Sequence, residues 1–215
     1  YLVGLSLTLS CNTQGDKIQI VEQNIEASVV DTISYAQLKM NVSAKRKLLC
    51  KENFNLNAQK NINVLQNYWI NTLLDDFFPK WANTPWDYNG TTEQPKVGHI
   101  ACGYFVTTLL RDMDVKIQRV KLAVCPSSQM MRALVPRQRL INLSSLSYTD
   151  FNERITKYGK GVYIIGLDFH TGFIINDGAE NWFLHSNYID RQGVIKETLL
   201  NSRALKSSKT RWMVS

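Results

Sequence analysis

The chain has 215 residues, 44% hydrophobic and 20% charged, with a formal net charge of +7 at pH 7. That is enough apolar sequence for one good core, which excludes a disordered chain, and no run of about 18 apolar residues suggests a membrane-spanning helix. The charge is uneven: residues 1–100 hold nine Lys or Arg against nine Asp or Glu, so the whole excess lies in residues 101–215. A basic surface there suits an anionic substrate or polymer. Nucleic acid is not expected, because no interleaved aromatic and basic stripe accompanies the charge.

Tyr1 to Ser10 is an uncharged, apolar run before Cys11. It reads in two ways: as the end of a bacterial lipoprotein signal, with Cys11 the lipidated residue of a longer precursor and an attachment to membrane, or as a first core strand or helix. From Cys11 to Thr84 the sequence reads mainly helical. Ile62, Leu65, Trp69, Leu73 and Phe77 share one face of a helix predicted from about Leu56 to Phe78 and ending before Pro79, with the stripe packed on the rest of the protein. Trp81 and Trp86, around Pro85, lead into the second part. With no internal repeat or low-complexity linker, the expected organisation is an N-terminal segment, 1–84, joined to a domain, 85–215.

GHIACGYFVTTLLRDM, from Gly98 to Met113, reads as a loop entering an amphipathic helix, with Phe105, Val106, Leu109, Leu110 and Met113 at helical spacing. Cys102 then sits at or near a helix N-terminus, where unpaired N–H groups and the helix dipole favour a thiolate and could bind an oxyanion. The alternative is a small buried hydrophobe. Beyond an extra stretch, roughly Val120 to Tyr158, HTGFIINDGAENWFLH runs from His170 to His185 and reads as a β-hairpin turning on Asp177-Gly178. A two-residue turn there pairs Asn176 with Ala179 and sets His170 directly opposite His185. Two such imidazoles can be metal ligands, a satisfied polar pair, or the base and orienter of a nucleophilic site.

Cys50 lies among charges in KRKLLCKEN, and Cys125 precedes Pro126 and a short helix starting at Ser127-Ser128. Neither has a C-x-x-C neighbour, so no zinc site is expected. A mixed set of His99, Cys102, His170 and His185 is the one grouping left that could take a metal. His99 otherwise reads as a loop residue at the edge of a groove.

The order Cys102, then His170-Thr171-Gly172-Phe173-Ile174, then Asn176-Asp177-Gly178 and Phe183-Leu184-His185-Ser186, resembles the NlpC family of bacterial cell-wall cysteine peptidases. There a cysteine opens a helix, a histidine begins a later strand, and a third polar residue follows on the neighbouring strand. Trp86-Asp87-Tyr88-Asn89-Gly90 is similar to the aromatic-and-glycine stretch before the nucleophile. The likeness covers about half the chain, from near Trp86 to near Asp190. The chain departs from the family's Asp-Cys-Ser-Gly, having Ala101-Cys102-Gly103-Tyr104, which places the resemblance at the level of the papain-like superfamily.

The resemblance implies an α+β, papain-like (NlpC-type) fold, with the nucleophile helix packed on an antiparallel sheet and a helical N-terminal extension. It implies a cysteine amidase or endopeptidase that hydrolyses an amide bond in peptidoglycan stem peptides, a bacterial cell-envelope location, and no cofactor. Cys102 would be the nucleophile, His170 its base in a thiolate–imidazolium pair and His185 the orienter, with Tyr88, Trp86 and His99 around the substrate and oxyanion. The lost Asp-Cys-Ser context keeps open a non-catalytic peptide- or glycan-binding module on the same scaffold, and thioester chemistry equally allows an acyl or amide transferase.

Overall fold

The computed structural model describes residues 33–52 and 58–215, without side chains for 52–60. The expectations placed on Tyr1 to Cys11 lie outside the described residues. Residues Tyr35–Ser215 cluster as one compact unit. It is α+β: six antiparallel strands in one sheet, with helices on both faces.

Before the sheet come α1 (Tyr35–Glu52), α2 (Ala58–Asn71) and α3 (Phe78–Trp81), the last two joined by a π-helical stretch, Thr72–Phe77. The helix predicted to stop before Pro79 therefore runs past it. Proline lacks an N–H and crowds the carbonyl four residues back in an ordinary helix. Here the wider π turn lies just before it, with Phe78 N–H donating to Leu73 O five residues back instead of four. That turn also shifts the phase of the apolar stripe. Leu73 and Phe77 are buried, whereas Ile62 and Leu65 are 47% and 37% exposed. With Trp69, Leu110 and Phe173 they line an open cavity of about 680 Å³.

Next come α4 (Cys102–Asp112), α5 (Arg119–Ala123), α6 (Ser127–Leu134), β1 (Ile141–Asn142) and α7 (Tyr148–Tyr158). The remaining elements are β2 (Gly161–Gly166), β3 (Thr171–Asn176), β4 (Asn181–Asn187), β5 (Gly193–Thr198), α8 (Arg203–Ser207) and β6 (Trp212–Val214). The strand order is β1-β6-β2-β3-β4-β5, every pairing antiparallel.

Alternation along the strands divides the core. Phe173 meets Phe105 of α4 edge-on, and Phe105 meets Trp81. On the other face Ile174 and Phe183 join Phe151, Ile155, Leu199 and Leu205 from the region of α7 and α8. All five residues that predict α4 as amphipathic, Phe105, Val106, Leu109, Leu110 and Met113, are buried. The stretch 120–158 is part of this architecture. The carbonyl of Ala123 sits so close to Gly103 that any Cβ at 103 would overlap it, and β1 extends the sheet through β6.

Candidate active site

Cys102 is the first residue of α4, after an extended Ala101 that offers no side-chain cap. The loop before it is held by backbone: Ile100 N–H donates to Pro85 O (2.9 Å) and Ala101 N–H to Gly90 O (2.8 Å). Ser186 on β4 donates its hydroxyl to Ile100 O at 2.6 Å. Arg119 is buried and donates to the carbonyls of Thr91 and Thr92, both at 2.9 Å, and to the Thr108 hydroxyl at 2.8 Å. Its guanidinium lies 4.9 Å over the Tyr104 ring. The loop is thus tied to the sheet at one end and to the first turns of α4 at the other.

The β3–β4 ladder runs from Asn176↔Asn181 to Phe173↔Leu184, not through the predicted Asn176–Ala179 pair. Asx hydrogen bonds explain the wider turn. Asn176 Oδ1 accepts from Gly178 N, and Asp177 Oδ1 accepts from Ala179 N and Glu180 N, each at 2.8 Å, so the loop donors are satisfied by side chains. The correction is a slip of two residues: Gly172, not His170, is level with His185. A two-residue slip leaves every side chain on its expected face, so the histidines become diagonal neighbours. His170 Nε2 and His185 Nδ1 are 2.7 Å apart.

Gly172 makes room for this. A Cβ at 172 would lie 2.8 Å from His185 Cβ and 2.6 Å from the Phe183 ring. Phe183 stacks on His185 with centroids 4.0 Å apart, and Tyr188 meets His170 edge-on at 5.1 Å. Both imidazoles are buried. The second nitrogen of His185, Nε2, lies 3.1 Å from Oε1 of Glu197 on β5. Glu197 faces Phe183 in the β4–β5 ladder, two residues from Ile195, which faces His185. Sequence reading missed this carboxylate.

Thr171 lies beyond the end of the β3–β4 ladder, and its backbone N–H is near enough to the Cys102 sulfur to favour a thiolate. The cysteine and the residue next to His170 are therefore neighbours. Among the described residues no hydrogen bond joins Cys102 to an imidazole. Burial pushes the thiol up, outweighing the N–H groups of Thr171, Gly103 and Cys102. Burial also holds His170 well below the ordinary histidine range, helped by the neighbouring His185. Both shifts favour the neutral forms, a thiol and an imidazole.

The other expected site residues are spread around this centre. Trp86 packs on Tyr188, centroids 6.3 Å apart, and so borders His170 through one aromatic ring. Tyr88 is 80% exposed, and it makes no hydrogen bond to Cys102 or either imidazole among the described residues. The side chain of His99 is exposed, while its carbonyl accepts from Thr92 N–H. No group of three or more His, Cys, Asp or Glu side chains with metal-binding geometry occurs among the described residues. Cys50, Cys102 and Cys125 are free thiols. Comparison with family models, with curated proteins and with solved structures finds no match to this chain.

Proposed function

We propose that the protein is a papain-like, NlpC-type cysteine amidase or endopeptidase of the bacterial cell envelope, acting on peptidoglycan stem peptides. The observation that carries this reading is the placement of Cys102, at the N-terminus of α4, beside the backbone of Thr171, next in chain to a His170 that is hydrogen-bonded to His185. The excess positive charge of residues 101–215 suits a substrate rich in carboxylates.

With His185 on Nε2 of His170, the ring nitrogen left to take the thiol proton is Nδ1. Because burial favours the neutral form of both groups, proton transfer accompanies attack. As Sγ bonds to the amide carbon, Nδ1 takes the thiol proton, and the carbonyl oxygen gains charge near the N–H groups opening α4. The imidazolium then protonates the departing amine as the C–N bond breaks, leaving a thioester that water hydrolyses. Peptidoglycan fragments incubated with wild-type protein and Cys102→Ala, compared by mass spectrometry, test this. Products made only by the wild type are expected, their masses naming the bond. None from folded wild-type protein across several wall chemistries would overturn it.

A second reading, a non-catalytic peptide- or glycan-binding module, draws on the burial that raises the thiol and keeps His170 neutral. It expects fragment binding that Cys102→Ala leaves unchanged, with no product.

A further inference from the structure

We infer that Glu197 is a positioning residue that fixes the tautomers of both buried imidazoles, so that Nδ1 of His170 carries no hydrogen and can accept one. The role in turnover rests on the peptidase reading above; the tautomers themselves do not.

The argument is one of donors and acceptors. A carboxylate can only accept, so at 3.1 Å the Nε2 of His185 must donate to Glu197. A neutral His185 then has a bare Nδ1, which can only accept. Across 2.7 Å its partner, Nε2 of His170, must therefore donate. The single hydrogen of a neutral His170 is thereby placed on Nε2, and Nδ1 keeps its lone pair. Reversing the first bond reverses the chain: an Nδ1–H on His185 would donate to His170 and drive the His170 hydrogen onto Nδ1, which could no longer take a proton from a thiol.

The surroundings make this choice matter. His185 is wholly buried, stacked under Phe183, and His170 is nearly so. Such rings depend on their protein partners rather than on bulk water. Beside Glu197 lies Ser202, the residue that caps α8 by accepting from Leu205 N–H. Burial would raise the Glu197 carboxyl, but the bond from His185 and the neighbouring Ser202 outweigh it and hold it below its ordinary value. The group is ionised at neutral pH and is an acceptor only. On the other side of the same pair, the Glu197 charge partly offsets the burial that lowers His185.

The test is nitrogen-15 NMR of the imidazoles, which separates protonated from bare ring nitrogens, on wild-type protein, Glu197→Gln and Glu197→Ala, each checked for folding by circular dichroism. The chain has only three histidines, and His99→Gln assigns the exposed one. Wild-type His170 and His185 are expected as Nε2–H tautomers with bare Nδ1. Glu197→Ala should shift hydrogen onto Nδ1 of both rings, and Glu197→Gln, which can still accept, should shift it less. On the same samples, turnover of a cleaved peptidoglycan fragment should fall at least tenfold in kcat with KM unchanged in Glu197→Ala, and less in Glu197→Gln. An Nδ1–H signal from either buried ring of the wild type, or tautomers unmoved in both variants, would overturn the inference. Expected tautomers in a wild-type protein that cleaves nothing would uphold the Glu197 assignment while removing the peptidase reading.

Discussion

Cys102 illustrates how one residue's setting can oppose its position. A helix N-terminus favours a thiolate, yet burial prevails and the thiol is raised. Iodoacetamide at pH 7 is therefore expected to modify the exposed Cys50 before Cys102, read by peptide mass mapping; faster labelling of Cys102 would show that the site makes a thiolate without substrate. At Gly172 the limit is space. Gly172→Ala would drive a methyl against Phe183 and His185 and should cost about 1–3 kcal/mol in denaturant unfolding, the usual range for overpacking, with a further loss of turnover. Cys102 and the two histidines were legible as candidates because few other residue types do their chemistry. Glu197 was not. It meets His185 diagonally across β4 and β5, and that register depends on a connection in which Asp190 and Arg191 both take positive φ, 54° and 51°, a conformation that Asp adopts more readily than most residues but for which Arg gives no signal.

At the scale of elements, α5 explains the glycine after Cys102. Position 103 must be glycine because the Ala123 carbonyl occupies the space of a Cβ. Gly103→Ser should thus destabilise the protein by at least about 1–3 kcal/mol, by thermal or denaturant unfolding, instead of restoring a family-like motif. Arg119→Ala should cost on the order of 3 kcal/mol, since it removes charge-assisted hydrogen bonds to three partners and leaves the carbonyls of Thr91 and Thr92 unpaired. The helix α4 and the hairpin could be read from apolar periodicity and from Asp177-Gly178. The continuation through Pro79 could not, because a π turn has no reliable signature in residue type and its effect is to change the phase on which the reading depends. Likewise Asn176 and Asp177 widened the turn through side-chain acceptors, a choice that the Asp-Gly pair alone does not decide.

For the whole molecule, the buried histidines link stability to pH. Both are held below the ordinary value, so the folded state remains unprotonated where the unfolded chain takes up protons. For a base with a depressed folded pKa, stability is complete above the unfolded value, about 6.5, and is lost as pH falls below it. Melting temperature should fall between pH 7.5 and 5, and His170→Asn, even if less stable overall, should have a shallower slope there. Glu197, lowered in the fold, adds a second loss only as pH falls through the range near and below 4.3, so the two windows are separable. An unchanged slope in His170→Asn would mean that the ring is not kept neutral by burial.

The pairing of the nucleophile loop with β5 carries a different kind of consequence. β5 ends the sheet, and on its outer side Asn83 N–H donates to Val194 O while Val194 N–H donates to Thr84 O, both at 2.9 Å. Unpaired strand edges recruit other chains. A molecule whose loop has come away from β5 therefore also bares a rung on which a second copy can add, so damage to this loop should register as self-association, visible by light scattering. The segment that sets Cys102 in place is also the cover that keeps the sheet from growing.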